Sequence, residues 1–166
     1  MKSRFPASCL LIGLLLATSS ITNPAKAAEA PKTGRPRIYD ETADGAKQIA
    51  DALVVAKKEN KRVLVQMGAN WCGWCHRLHN LFETDKVIAA TLKSNYVVVA
   101  VDVNEEHNKA IDTKYGHPTR FGLPVIVVLD SDGKQLTTKD TGQLEEADHH
   151  KPEKVMAFLK EWAPKK

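Results

Sequence analysis

The stretch Val63-Leu64-Val65-Gln66-Met67-Gly68-Ala69-Asn70-Trp71-Cys72-Gly73-Trp74-Cys75-His76 decides the fold. Val63–Met67 is a short apolar run of strand length. Gly73 to Glu83 carries Cys75, Leu78 and Phe82 at helical spacing, so the two cysteines sit where a strand hands over to a helix. A thiol at a helix N-terminus faces N–H groups without intrahelical partners and the positive end of the helix dipole. Both favour the thiolate, so Cys72 is expected to have a lowered pKa and a nucleophilic sulfur at neutral pH. Cys75 lies one turn further in, close enough for a disulfide, and points to the core with Leu78. Gly73 tolerates the tight backbone between them. His76, four residues after Cys72, falls on the same helix face and when protonated would favour the thiolate further.

The flanking segments extend this strand-to-helix unit into an alternating pattern. Asp44 to Glu59 reads as a helix with Ile49, Leu53 and Val54 among alanines. Thr84 or Asp85 caps a further helix running to Leu92. Tyr96–Val103 (YVVVAVDV) is a β-branched run and reads as a buried strand. A weak helix over Asn108–Tyr115 stops at Gly116. Val125–Leu129 is another buried strand, and Ser131-Asp132-Gly133 turns the chain into a polar strand around Gln135–Thr138. Pro152 suits the first turn of a last helix carrying Val155, Phe158, Leu159 and Trp162. Strands alternating with helices imply an α/β sheet with helices on both faces, and the last tightly joined pair must be antiparallel, so the sheet is mixed.

The 166 residues fit a single core. Hydrophobic residues make up 43% and charged residues 27%, which excludes a disordered chain, a collagen and a multi-span membrane protein. Lys2 and Arg4 precede the apolar run Cys9–Ala17, which is too short to span a bilayer, and Ala25-Lys26-Ala27 fits the small-x-small rule for cleavage. Residues 1–27 therefore read as a secretory signal and 28–43 as a flexible lead-in, leaving 44–166 as the domain. The chain is expected to be exported, to the periplasm if bacterial and otherwise secreted. Cleavage removes Cys9 and takes away three positive charges, leaving a nearly balanced domain with no electrostatic case for nucleic acid. The remaining pair, Cys72 and Cys75, closes too small a loop to stabilise much by chain entropy, so its role is chemical.

With its Trp-Cys-Gly-Trp-Cys motif after a buried strand, the chain resembles the thioredoxin-fold family. Gly122-Leu123-Pro124 directly before Val125–Leu129 is similar to that family's cis-proline loop, and Asp130-Ser131-Asp132-Gly133-Lys134 to its strand–turn–strand. The resemblance implies thiol–disulfide exchange with protein thiols and disulfides, with Cys72 attacking and Cys75 resolving, and it requires no cofactor. It places the cis-proline at Pro124 and substrate contact at Leu123, with Trp71 and Trp74 as apolar surface beside the thiol. The reducing direction is favoured by the Trp-Cys-Gly-x-Cys pattern, and an exported reductant draws electrons from a membrane partner. Two departures stand out. Thioredoxins proper usually carry a buried Asp six residues before the first Cys, where this chain has Gln66, an amide that cannot act as a base. Gly116–Pro124 (GHPTRFGLP) is also longer than usual, so residues near His117 and Arg120 are expected to reshape the groove.

Other readings of the same residues stay open at this level. Cys72-Gly73-Trp74-Cys75-His76 matches the c-type haem attachment pattern. Cys72, Cys75, His76 and His79 are soft ligands, although four of them crowd one short helix, so no metal is assigned. A binding or folding module without turnover is the alternative to an enzyme. His79 and the pair His149-His150 read as solvent-exposed, and Asp102, Glu105 and Glu106 as a charged rim.

Overall fold

The computed structural model describes residues 35–165, so the expectations for residues 1–27 lie outside the described part of the chain. Asp44 starts the first helix by accepting the backbone N–H groups of Ala46 and Lys47 at 2.8 and 3.2 Å. A side chain placed there satisfies donors that the helix cannot. This helix, α1, runs over Gly45–Glu59 and leads into strand β1, Arg62–Gly68. Then come α2 over Gly73–Thr84 and α3 over Lys86–Asn95. Asp85, not Thr84, caps α3, with both N–H bonds at 2.9 Å. Strand β2 is Tyr96–Asp102, α4 is the short Lys109–Lys114, β3 is Val125–Leu129 and β4 is Gln135–Asp140. A two-residue hairpin follows, β5 (Glu145–Glu146) against β6 (His149–His150), and α5 closes the chain over Pro152–Glu161.

The main sheet has the order β2-β1-β3-β4. β1 pairs parallel with β2 and antiparallel with β3, and β4 pairs antiparallel with β3, so the sheet is mixed. Strand residues alternate between faces, which divides the core into two layers. Val63, Val65 and Met67 join Ile49, Ala52 and Ile111 on the α1 and α4 side. Leu64 joins Leu78, Phe82, Ile88, Leu92, Phe158 and Leu159 on the side of α2, α3 and α5. All five residues of β3 are buried, as a central strand covered by helices on both faces requires.

The sequence reads Tyr96–Val103 as a buried strand, but among the described residues β2 is an edge strand, and Val98 is exposed. A β-branched run looks the same in the sequence whether its neighbour lies on one side or both. The lead-in is corrected too. Ile38 and Tyr39 do not float; both backbone N–H groups donate to Asn70 Oδ1 at 3.0 Å, and Tyr39 is buried.

Candidate active site

The backbone leaves β1 at Gly68 and enters α2 at Gly73, with Cys72 as the N-cap. Its Sγ accepts the N–H of Cys75 at 3.1 Å, a direct form of the stabilisation expected for a sulfur at this position. Cys72 and Cys75 are joined in a disulfide with Cα atoms 5.2 Å apart. Cys75 is fully buried, and Cys72 keeps 4% of its surface. The residual access belongs to Cys72, whose Sγ lies 3.5 Å from the Leu123 carbonyl oxygen. The Leu123–Pro124 peptide is cis. Pro124 is held from behind by Thr141, whose hydroxyl donates to its carbonyl.

The other expected residues take distinct places. Trp71 is 68% exposed at the mouth of the site, and its Nε1–H donates to Asn104 Oδ1 at 2.7 Å. Trp74 is only half-open. The ring of His150 meets it edge-on with centroids 5.2 Å apart, and the Arg77 guanidinium lies 4.6 Å over it. The ring that packs against the Cys72–Cys75 pair is therefore Trp74, half-buried, while Trp71 offers the exposed apolar face one residue before Cys72. His76 is buried, with Nε2 bonded at 2.8 Å to the Asn70 carbonyl. That bond makes Nε2 a donor and turns the ring to the backbone. His76 thus has no Nε2 lone pair for a haem iron or a metal, and among the described residues no cluster of three or more His, Cys, Asp or Glu is placed to hold one. His117 and Arg120 lie in the loop before Pro124. His117 bonds Asp112 at 3.0 Å, and Pro118–Phe121 forms a 3₁₀ turn that absorbs the extra length.

Gln66 is buried on β1 and donates from Nε2 to the Tyr39 hydroxyl at 2.7 Å. Gly68 explains why Tyr39 reaches so far in. A Cβ on Gly68 would lie 2.2 Å from Tyr39 Oη and 2.7 Å from Cys75 Sγ, so phenol and sulfur share the space that glycine vacates. Tyr39, Cys72 and Cys75 form one cluster, with Leu123 packed against it. Burial pushes the Tyr39 phenol well above its usual range, more strongly than its bond from Gln66 lowers it.

Two expectations fail here for one reason. Asp102 is not a rim residue but 1% exposed, and His150 is not a loop residue but 2% exposed. Each is carried inward by strand pairing that the sequence does not display: Asp102 stands opposite Gly68, and His150 opposite Glu145. Burial raises the Asp102 carboxyl above its usual range despite an N–H bond from Asn104. Tyr39 and the clamping role of Asn70 are not announced by the sequence. The available signal for Tyr39 was an isolated Ile-Tyr pair inside a polar, proline-bearing segment.

The family described as thioredoxin-like matches residues 44–131. A solved structure of a disulphide isomerase from Xylella fastidiosa Temecula1 is 32% identical with a TM-score of 0.69, covering 77% of this chain and 98% of that one. The protein disulfide-isomerase of Medicago sativa is 32% identical over 79 residues, 48% of this chain and 15% of that protein. The thiol:disulfide interchange protein DsbD of Colwellia psychrerythraea is 30% identical over 94 residues, 57% of this chain and 15% of that protein. The matched segment thus spans a small part of the curated relatives' length.

Proposed function

The chain belongs to the thioredoxin-like family of thiol–disulfide oxidoreductases, and on that premise we propose that it is exported and reduces disulfides in other proteins. The observation that carries the reading is the Cys72–Cys75 disulfide at the start of α2, with the less buried sulfur beside Leu123–Pro124. In the reduced protein the Cys72 thiolate attacks one sulfur of a substrate disulfide, and the other sulfur leaves with the electron pair of the broken bond. Cys75 then attacks the Cys72 sulfur. The substrate departs as a dithiol, and Cys72–Cys75 closes, so two electrons have passed to the substrate.

Trp71 provides the exposed apolar face on which a substrate segment rests, and Asn104 fixes its ring. The backbone at Leu123, beside the reactive sulfur, offers hydrogen-bonding groups to an extended chain. Gln66 holds Tyr39 behind the pair and is itself no base. The isomerase and interchange likenesses support protein substrates. Export rests on the basic start, the short apolar run and the Ala25-Lys26-Ala27 site, and electrons then come from a membrane partner.

Equilibration with glutathione buffers of graded ratio, read by alkylation and mass, tests the direction. A reductant should hold Cys72 and Cys75 as dithiol only in strongly reducing buffer, at a potential below that of the glutathione couple. A pair that stays reduced in oxidising glutathione would reverse the direction.

A further inference from the structure

Resolution of the mixed disulfide needs a proton acceptor. Cys75 attacks as thiolate, yet it is fully buried, and a buried thiol is held back from ionising by lost solvation. Gln66, the buried polar group on β1 beneath it, cannot take a proton. The same sheet face carries one carboxyl. Asp102 pairs in register with Gly68 across the parallel β1–β2 ladder, so its side chain leaves the sheet on the face where a Gly68 side chain would meet Cys75 Sγ. Its Oδ1 accepts the Asn104 N–H at 3.1 Å, while Oδ2 is buried without a partner among the described residues.

Tyr39 lies between. Its hydroxyl oxygen is less than 5 Å from Cys75 Sγ, because both crowd the position a Gly68 Cβ would occupy. A hydroxyl has one proton to give and two lone pairs. Gln66 Nε2–H takes one lone pair, which leaves a lone pair and the proton free of other partners among the described residues. The unused valences of the phenol thus lie on the sheet face that carries the two unserved groups, the Cys75 sulfur and Asp102 Oδ2, and in the oxidised protein they are bonded to neither.

We propose that Asp102 is the proton acceptor for Cys75, reached through the Tyr39 hydroxyl. This rests on the exchange reaction proposed above. The Cys75 S–H bond breaks and its proton goes to Tyr39 Oη, while the phenol's own proton passes to Asp102 Oδ2. The thiolate attacks the Cys72 sulfur, and the electron pair of the mixed-disulfide bond leaves with the substrate sulfur. Asp102 then returns its proton to solvent before the next cycle. Other charges face this carboxyl. Glu41, on the docked lead-in, opposes its ionisation, and His107, beyond β2, favours it. On α2, His76 is tied to the Asn70 carbonyl. Burial of the carboxyl, with Glu41 beside it, places its titration above the usual carboxylate range, closer to working pH.

Reduced protein mixed with dithionitrobenzoate in a stopped-flow instrument separates the two thiols. The first nitrothiolate reports attack by Cys72, and the second reports resolution by Cys75; Cys75→Ser must lose the second. In the wild type the second rate should rise with pH through the carboxyl's range, below the range of a free thiol. Asp102→Asn should lose that limb, slowing the second step roughly tenfold or more near pH 6–7, and should converge on the wild type above the thiol's own pKa. Tyr39→Phe, which keeps the ring and removes the relay, should show the same loss and serves if Asp102→Asn does not fold. Profiles that overlay the wild type, or that drop by one constant factor at every pH, would overturn the proposal. A wild type that releases only the first nitrothiolate would instead sink the exchange reaction on which it rests.

Discussion

Gly68→Ala should cost about 3 kcal/mol of stability, although it adds a single methyl group. The new Cβ would lie 2.2 Å from Tyr39 Oη, 2.6 Å from its Cζ and 2.7 Å from Cys75 Sγ. None of the three atoms is the loose end of a flexible chain. Tyr39 is buried and bonded to Gln66, and its backbone is bonded to Asn70. Cys75 is fixed by the helix and the disulfide. Relief therefore comes from withdrawing the phenol, which leaves the Gln66 amide buried and unpaired, itself a cost of about 1–3 kcal/mol. Thermal melting of the oxidised protein should show a midpoint lower by roughly 10 °C. Shortening the clashing partner, as in Gly68→Ala with Tyr39→Leu, should cost less than the two changes summed separately. A Gly68→Ala protein that melts with the wild type would mean that Tyr39 does not occupy this space.

The second large effect is an acid sensitivity seated in His150. Burial, then the positive charges of Arg77 and His149, push its imidazole down to about 4 from an ordinary 6.5. Both ring nitrogens are buried without partners among the described residues. Between those two values the unfolded chain binds a proton that the folded one refuses, so stability rises with pH across the window. It is complete above about pH 6.5 and is lost as pH falls towards 4, by about 2–3 kcal/mol for this group. His150→Phe keeps an aromatic ring against Trp74 and removes the titration. Urea unfolding at several pH values, wild type against His150→Phe, should show a steeper acid loss in the wild type. Equal slopes would place His150 in solvent.

These effects fall at the residues that were hardest to read from the sequence. The main elements are written locally. Asp44 and Asp85 cap their helices by their own side chains, Pro152 opens the last helix, and Val125–Leu129 has no polar residue to place it anywhere but the centre. Cys72 and Cys75 are equally local, because three residues and one helix start decide their geometry. Tyr39, Asp102 and His150 are not. Tyr39 enters the site only because Asn70, 31 residues on, clamps the segment before α1. Asp102 turns inward because β2 pairs with β1 in a register that sets it opposite Gly68. His150 is covered only because a two-strand hairpin folds onto Trp74. In each case a polar or aromatic residue of ordinary surface type is buried by a long-range pairing, and no periodicity within the segment announces it.

The central claim is that Cys72 takes up the partner and Cys75 lets it go. Reduced Cys75→Ser protein, mixed with a disulfide-linked peptide and analysed by mass spectrometry without reductant, tests it most directly. The adduct should be one peptide per chain, mapped to Cys72, stable in the absence of thiols, and missing from the wild type because Cys75 resolves it. A Cys75→Ser protein that accumulates no adduct, or a Cys72→Ser protein that accumulates one instead, would contradict the account.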